Sequence, residues 1–155
     1  MSKPIDEIDR RILRALVANG RLTNAELAKA VGLSASPCWQ RVKRLEEKGV
    51  IAGYTAVLNH EALGVGETVM VEVSLDQHET GVLEAFGKAM ADFPEVLEVH
   101  LMAGDHDFHV KIVADGTRGV EEFLRERLFK IAGLRHSKSS FSLRCLKRVS
   151  SFVPV

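Results

Sequence analysis

The sequence predicts an α+β chain of two units, a bundle of three helices followed by a βαββαβ unit. Three observations carry that reading. Apolar residues recur at helical spacing from Ile5 to Leu45, and from Val69 the period changes to two. Gly49, Gly53, Gly64 and Gly66 punctuate the stretch between the two patterns. Charge divides there as well: residues 1–53 hold 10 Lys and Arg against 6 Asp and Glu, whereas residues 54–155 hold 11 against 15. With 155 residues, 46% hydrophobic and 27% charged, the chain is long enough to bury a core without disulfides or metals.

Ile5, Ile8, Ile12 and Leu16, with Leu13 and Val17 beside them, form one stripe, so the first helix runs from Asp6 to about Asn19. Asp6 can cap it, and Glu7 and Asp9 in its first turn suit the helix dipole. Leu27, Ala28 and Val31 make the inner face of a second helix over Asn24 to Val31. Gly32 supplies the backbone conformation that a tight turn after it requires. The third helix begins within Ser34 to Pro37, where hydroxyls can cap and a proline loses no needed bond, and it ends at Lys48-Gly49. Cys38, Val42 and Leu45 point inward. Ser36, Gln40, Lys43 and Arg44 then point outward, with Trp39 and Arg41 flanking them.

Two short helices joined by a glycine turn, the second with small, amide and cationic side chains on its free face, form a helix-turn-helix. Such a helix fits the major groove of duplex DNA. Ser36, Gln40 and either Arg41 or Arg44 are the candidates for base edges, and Lys43 and Lys48 for phosphates. Ser34 and Pro37, where the helix begins, complete the candidate DNA-contacting set. The bland alternative is a three-helix bundle whose basic face is merely solvated.

Residues 50–59 are apolar and β-favouring, and read as a strand leaving the bundle. Val69, Val71, Val73 and Leu75 alternate. Val82, Leu83, Phe86, Met90 and Phe93 then follow a helical stripe that Pro94 stops. Leu97, Val99, Leu101 and Ala103 alternate, Gly104-Asp105-His106 turns, and Phe108, Val110, Ile112 and Ala114 alternate again as a hairpin. Val120, Phe123, Leu124, Leu128 and Ile131 make the last helix, and Phe141, Leu143 and Cys145 a closing strand. The order is that of a ferredoxin-like sheet with both helices on one face. Its other face carries Met70, Met102 and Val113 among His100, His109 and Lys111, a mixed surface that suits cover by a second copy.

Other function classes find little support. Cys38 and Cys145 match no paired metal spacing and read as reduced thiols, Cys145 in the core. The first residues are charged and contain no secretory stretch, and no apolar run reaches membrane-spanning length. No phosphate loop, nucleophile elbow or helix-borne zinc motif points to an enzyme. His100, His106 and His109 crowd the hairpin with Asp105 and Asp107, which leaves a metal-responsive repressor as one alternative. An architectural DNA-binding protein without an effector is another.

The residues 6–13 (DEIDRRIL), Gly20-Arg-Leu-Thr-Asn24, Leu33-Ser-Ala-Ser-Pro-Cys-Trp-Gln-Arg-Val-Lys-Arg-Leu-Glu46, Gly49-Val-Ile-Ala-Gly-Tyr54 and Gly104-Asp-His-Asp-Phe108 resemble the leucine-responsive and asparagine-regulator (Lrp/AsnC) family of prokaryotic transcription factors over nearly the whole length. The resemblance implies a winged helix-turn-helix domain at 1–49, a strand linker at 50–65, and a ferredoxin-like effector-binding and oligomerisation domain at 66–155. It implies sequence-specific binding to double-stranded DNA and homodimers assembling to an octamer. It also implies a cytoplasmic, nucleoid-associated protein with no cofactor, whose effector is a free amino acid or related metabolite. The effector would bind near Leu101, Gly104, Asp105 and Asp107. Family members often carry threonines or apolar residues on the C-terminal strand facing the ligand; here Ser137, Ser139 and Ser140 stand there. A zwitterion needs a carboxylate for its ammonium, and Asp105 or Asp107 supplies one; glycine-turn N–H groups and the serine hydroxyls suit its carboxylate. The same aspartates would also serve simply to build the turn.

Overall fold

A computed structural model describes residues 5–149 and 151–154. The chain divides into two compact units, one of residues 1–57 with 147–155 and one of residues 58–146.

In the first unit α1 spans Glu7–Ala18, α2 Asn24–Val31 and α3 Ala35–Glu47. A reciprocal capping box starts α1: Asp9 N–H donates to the Asp6 carboxylate at 2.9 Å and Asp6 N–H to the Asp9 carboxylate at 3.2 Å. Thr23 and Glu26 form a second box at the start of α2, at the three-residue spacing the sequence carries. Gly32 ends α2 with φ +74°, a left-handed conformation in which a β-carbon is strained, and this turns the chain into α3. Ser34 occupies the N-cap position of α3, but its side chain makes no capping bond. Ile12, Leu27, Ala28, Val31, Cys38 and Leu45 close the core between the three helices. Each large aliphatic side chain buried there is worth about 1.5–3 kcal/mol.

In the second unit β1 (Glu67–Leu75), α4 (Thr80–Ala91), β2 (Val96–Leu101), β3 (Phe108–Ala114), α5 (Gly116–Glu126), a 3₁₀ turn (Leu128–Lys130) and β4 (Leu134–Phe141) follow in order. The sheet order is β2-β3-β1-β4 and every pair is antiparallel, the split βαβ arrangement expected. The inner positions of β1 and β3 pack against Phe86 and Met90 of α4 and Val120 and Phe123 of α5. Phe86 and Phe108 stack at 4.8 Å between ring centroids. Thr68, Met70 and Glu72 of β1 lie opposite Val113, Lys111 and His109 of β3 on the uncovered face.

Three expectations need correction. The stretch 50–65 contains no strand: β-favouring residues confer a propensity, but an extended segment becomes a strand only where a neighbouring strand pairs with it, and among the described residues its backbone N–H bonds go only to local turns and the end of α3. Residues 50–57 instead belong to the first unit, as does the tail from 147. The closing strand is Leu134–Phe141, not one centred on Leu143. Its partner β1 begins at Glu67, so the ladder ends where Ser142 N–H donates to the Thr68 carbonyl at 2.8 Å. Cys145, beyond that end, is exposed rather than in the core.

Candidate functional site

Along α3 the side chains of Ser36, Pro37, Gln40 and Lys43 are exposed, as are Ser34 before the helix and Lys48 after it. The short residues stand near the helix start, where a groove-binding helix meets base edges. Lys43 lies over the Trp39 ring, its Nζ 5.2 Å from the centroid, and 3.8 Å from the Glu47 carboxylate. Trp39 itself is 53% exposed. It borders an open cleft of about 460 Å³ that Leu22, Val42 and Tyr54 also line. The Tyr54 hydroxyl donates to Glu46 at 2.9 Å, and burial, followed by that neighbouring carboxylate, raises the phenol above its ordinary range.

Arg41 and Arg44 are not part of this outward set. Arg41 donates to both Asp6 oxygens at 2.8 and 2.7 Å and to Asp9 at 2.8 Å; Arg44 donates to Asp9 at 2.5 Å. Asp9 is fully buried, so its charge requires partners, and the guanidinium groups of Arg41 and Arg44, on adjacent turns of α3, are what the fold brings to it. The Arg41 hydrogen bond and then the Asp9 N–H hold the Asp6 carboxyl at about 2, and Asp6 and Asp9 in turn raise Arg41. The helical wheel places Arg44 about 40° from Gln40, on the outer side. An acid 35 residues away draws the side chain back. Periodicity within α3 carries no sign of that partner.

At one end of the sheet, the turn between β2 and β3 is tied together by Asp107. Its N–H donates to the Val73 carbonyl, its carbonyl accepts from Met102 N–H, and its carboxylate accepts from Leu75 N–H, each at 2.8 Å. His78 Nε2 lies 3.0 Å from the other carboxylate oxygen. Asp107 therefore builds the turn, with both oxygens engaged inside the chain. Gly104 and Asp105 are exposed on the same turn, and Leu101, 62% exposed, ends β2 beside it.

Register sorts the three serines. Leu101 pairs with Phe108, Phe108 with Val73, and Val73 with Ser137, so Ser137 shares the turn's row of the sheet. Ser139 lies opposite Val71, one repeat further away, and Ser140 lies opposite Met70 on the uncovered face. Strand alternation thus separates Ser140 from the other two. The hairpin histidines are dispersed: His100 pairs with Glu98 at 3.2 Å, and the rings of His106 and His109 stand 6.2 Å apart. Among the described residues no group of three His, Cys, Asp or Glu side chains could hold a metal ion. No helix among them is long and apolar enough to cross a membrane.

Comparison with known proteins fits both halves. Residues 5–52 match the winged helix-turn-helix DNA-binding family, and residues 68–152 match the Lrp/AsnC ligand binding domain. The chain is 37% identical over 151 residues to the leucine-responsive regulatory protein of Escherichia coli K12, covering 97% of this chain and 92% of that one. Among solved structures, a transcriptional regulator from Neisseria meningitidis in complex with L-methionine superposes with a TM-score of 0.91 at 32% identity over 96% of each chain. A feast or famine regulatory protein from M. tuberculosis, complexed with L-methionine, superposes with a TM-score of 0.86 at 29% identity, covering 97% of this chain and all of that one.

Proposed function

Because the chain belongs to the Lrp/AsnC family of DNA-binding transcriptional regulators, we propose that its α3 reads operator DNA in the major groove while a free amino acid at the β2–β3 turn tunes that binding. One observation carries the reading: an exposed helix-turn-helix face, with Ser36, Gln40 and Lys43 outward, shares a chain with a domain of the ligand-binding type. Gln40 and Ser36 supply the donors and acceptors that base edges recognise, and Lys43 and Lys48 supply charge for phosphates. In the second unit, Asp105 presents its carboxylate to the effector ammonium and Leu101 an apolar contact, with Asp107 holding the turn from behind. Ser137 and the Gly104 backbone suit the effector carboxylate. Methionine is the first candidate, since two relatives of this fold hold it.

On this reading the protein is cytoplasmic and nucleoid-associated, performs no catalysis, needs no cofactor, and works as a homodimer assembling towards an octamer. The uncovered sheet face with Met70 supports association. So do Leu143 and Leu146, fully exposed and 82% exposed. The test is a thermal-shift screen of the free amino acids, methionine first, beside a gel shift on the DNA flanking the gene. Ligand that binds only the folded state raises the melting temperature with concentration. A shift with methionine or another amino acid, lost in Asp105→Asn and accompanied by altered DNA binding, supports the reading. No shift with any amino acid overturns the effector assignment, and no retarded DNA at low salt overturns the operator assignment.

A further inference from the structure

We propose that Asp6 and Asp9 are specificity-determining residues, which hold Arg41 and Arg44 off the duplex and so keep binding to non-operator DNA weak; the inference rests on the DNA-binding reading. Of the three cations of α3, two are largely withdrawn from solvent. Arg41 and Arg44 side chains are 21% and 27% exposed, against 54% for Lys43 one residue from Arg44. Arg41 flanks the inward side, about 40° from buried Leu45, but position on the helix does not explain Arg44. Arg44 lies about 40° from Gln40 on the wheel, within the outer face, and a straight side chain there would join Gln40 and Lys43.

What withdraws it is the Asp9 carboxylate, at 2.5 Å from one guanidinium nitrogen. The capture is incomplete, because Arg44 Nε is buried with no hydrogen-bond partner. A phosphate oxygen would give that nitrogen the acceptor it lacks, so Asp9 must hold the arginine against that alternative. Arg41 is held from two sides, by Asp6 and by Asp9.

Sequence-independent affinity grows with each cation that reaches a phosphate, because each contact releases condensed counterions. Contacts to phosphate strengthen binding to every sequence alike, whereas base contacts discriminate. Two arginines freed on α3 would therefore raise binding to all DNA and dilute the preference for the operator. The α1 acids trade affinity for selectivity, and the same network anchors α3 against α1.

The experiment measures binding of the full chain to mixed-sequence duplex DNA and to its operator between 50 and 200 mM salt. Wild-type protein is compared with Asp9→Asn, Asp9→Asn/Arg44→Gln and Arg44→Gln. Asp9→Asn should steepen the salt slope by about 0.9 for each DNA-bound subunit, the increment for one phosphate contact, which is roughly a three- to fourfold larger loss of affinity per subunit across that range. It should also lower the ratio of operator to mixed-sequence affinity. The double variant, equally altered in the core, should return to the wild-type slope, a reversal that a merely structural role of Asp9 does not produce. An unchanged slope in folded Asp9→Asn, or a steeper slope that persists in the double variant, overturns the inference. Should Asp9→Asn lose its helical circular dichroism, Arg44→Gln decides: an arginine already held off DNA leaves the slope unchanged on removal, and a fall of about 0.9 per DNA-bound subunit overturns the inference. Failure of wild-type protein to bind any DNA would instead remove the underlying reading, so the two failures are distinct.

Discussion

Replacing Asp107 separates a turn-building role from a ligand-binding one. Leu75 is fully buried, and its N–H reaches the Asp107 carboxylate at the point where the β1–β4 register shifts, between Ser74 and Leu75. The carboxylate thus stands in for a missing ladder acceptor. In Asp107→Ala that donor is left without a partner, at a cost of about 1–3 kcal/mol. The His78 pair adds little, about 0–1 kcal/mol, because the imidazole side is largely exposed. A loss of about 1–4 kcal/mol overall follows for Asp107→Ala, and about 1 kcal/mol or less for Asp107→Asn, which keeps a neutral acceptor oxygen. Urea unfolding followed by circular dichroism measures both. Hydrogen exchange at the Leu75 amide locates the effect, with protection falling about tenfold for each 1.4 kcal/mol lost locally. Asp107→Asn should also retain the amino-acid response, since Asp105 faces the ligand in this assignment. An alanine variant as stable as wild type, with Leu75 still protected, refutes the turn-building role. A stable Asp107→Asn protein deaf to every amino acid places the ligand on Asp107 instead.

Two further outcomes follow from the first unit. Leu45→Ala empties a fully packed site between the three helices, where Leu45 is 1% exposed, and should cost about 2–5 kcal/mol; fluorescence of Trp39, the single tryptophan, reports the change in urea midpoint from α3 itself. The Asp6 carboxyl is lowered from 3.8 to about 2 by Arg41 and the Asp9 N–H. A depressed acid stabilises fully above its unfolded value and loses that contribution as pH falls through its folded value, so wild-type urea midpoints should drop between pH 4 and pH 2 more steeply than those of Asp6→Asn. Parallel pH curves for the two proteins would refute the pairing with Arg41.

Elements whose stability is encoded by neighbours in sequence were legible, and those decided by a distant partner were not. The bounds of α2 follow from Asn24, the Leu27-Ala28-Val31 stripe and Gly32, all within one short segment. The β1 and β3 strands show clean alternation because they are central and bury one face against α4 and α5. By contrast β4 is an edge strand reading Leu-Arg-His-Ser-Lys-Ser-Ser-Phe, with one buried face only partly covered, so polar residues conceal it and the apolar alternation of Phe141, Leu143 and Cys145 attracts the assignment. The site shows the same division. Exposure of Ser36, Gln40 and Lys43 follows from the helical period, whereas the capture of Arg41 and Arg44 depends on acids at separations of 32 and 35 residues. Aspartates beside a glycine suggest a turn, but only the register shows that Asp107 supplies an acceptor to Leu75.

Association can be argued from what a single copy leaves in water. Leu143, Leu146 and Phe152 are at least 82% exposed, and Val57 and Leu63 are 73% and 61% exposed. Large apolar side chains scattered singly need no explanation, but three within ten residues, following directly on an edge strand, make a segment that solvent disfavours. The outer edge of β4 offers unpaired backbone groups to an extended chain, and a second copy carries the complementary segment by symmetry. Sedimentation at micromolar concentration should therefore give a multiple of 17.1 kDa. Leu143→Lys/Leu146→Lys should shift the distribution towards the single chain while leaving the circular dichroism intact, because neither side chain contributes to the core. Wild-type protein sedimenting only at 17.1 kDa would show that these side chains stay in water, and the dimeric reading would fall with them.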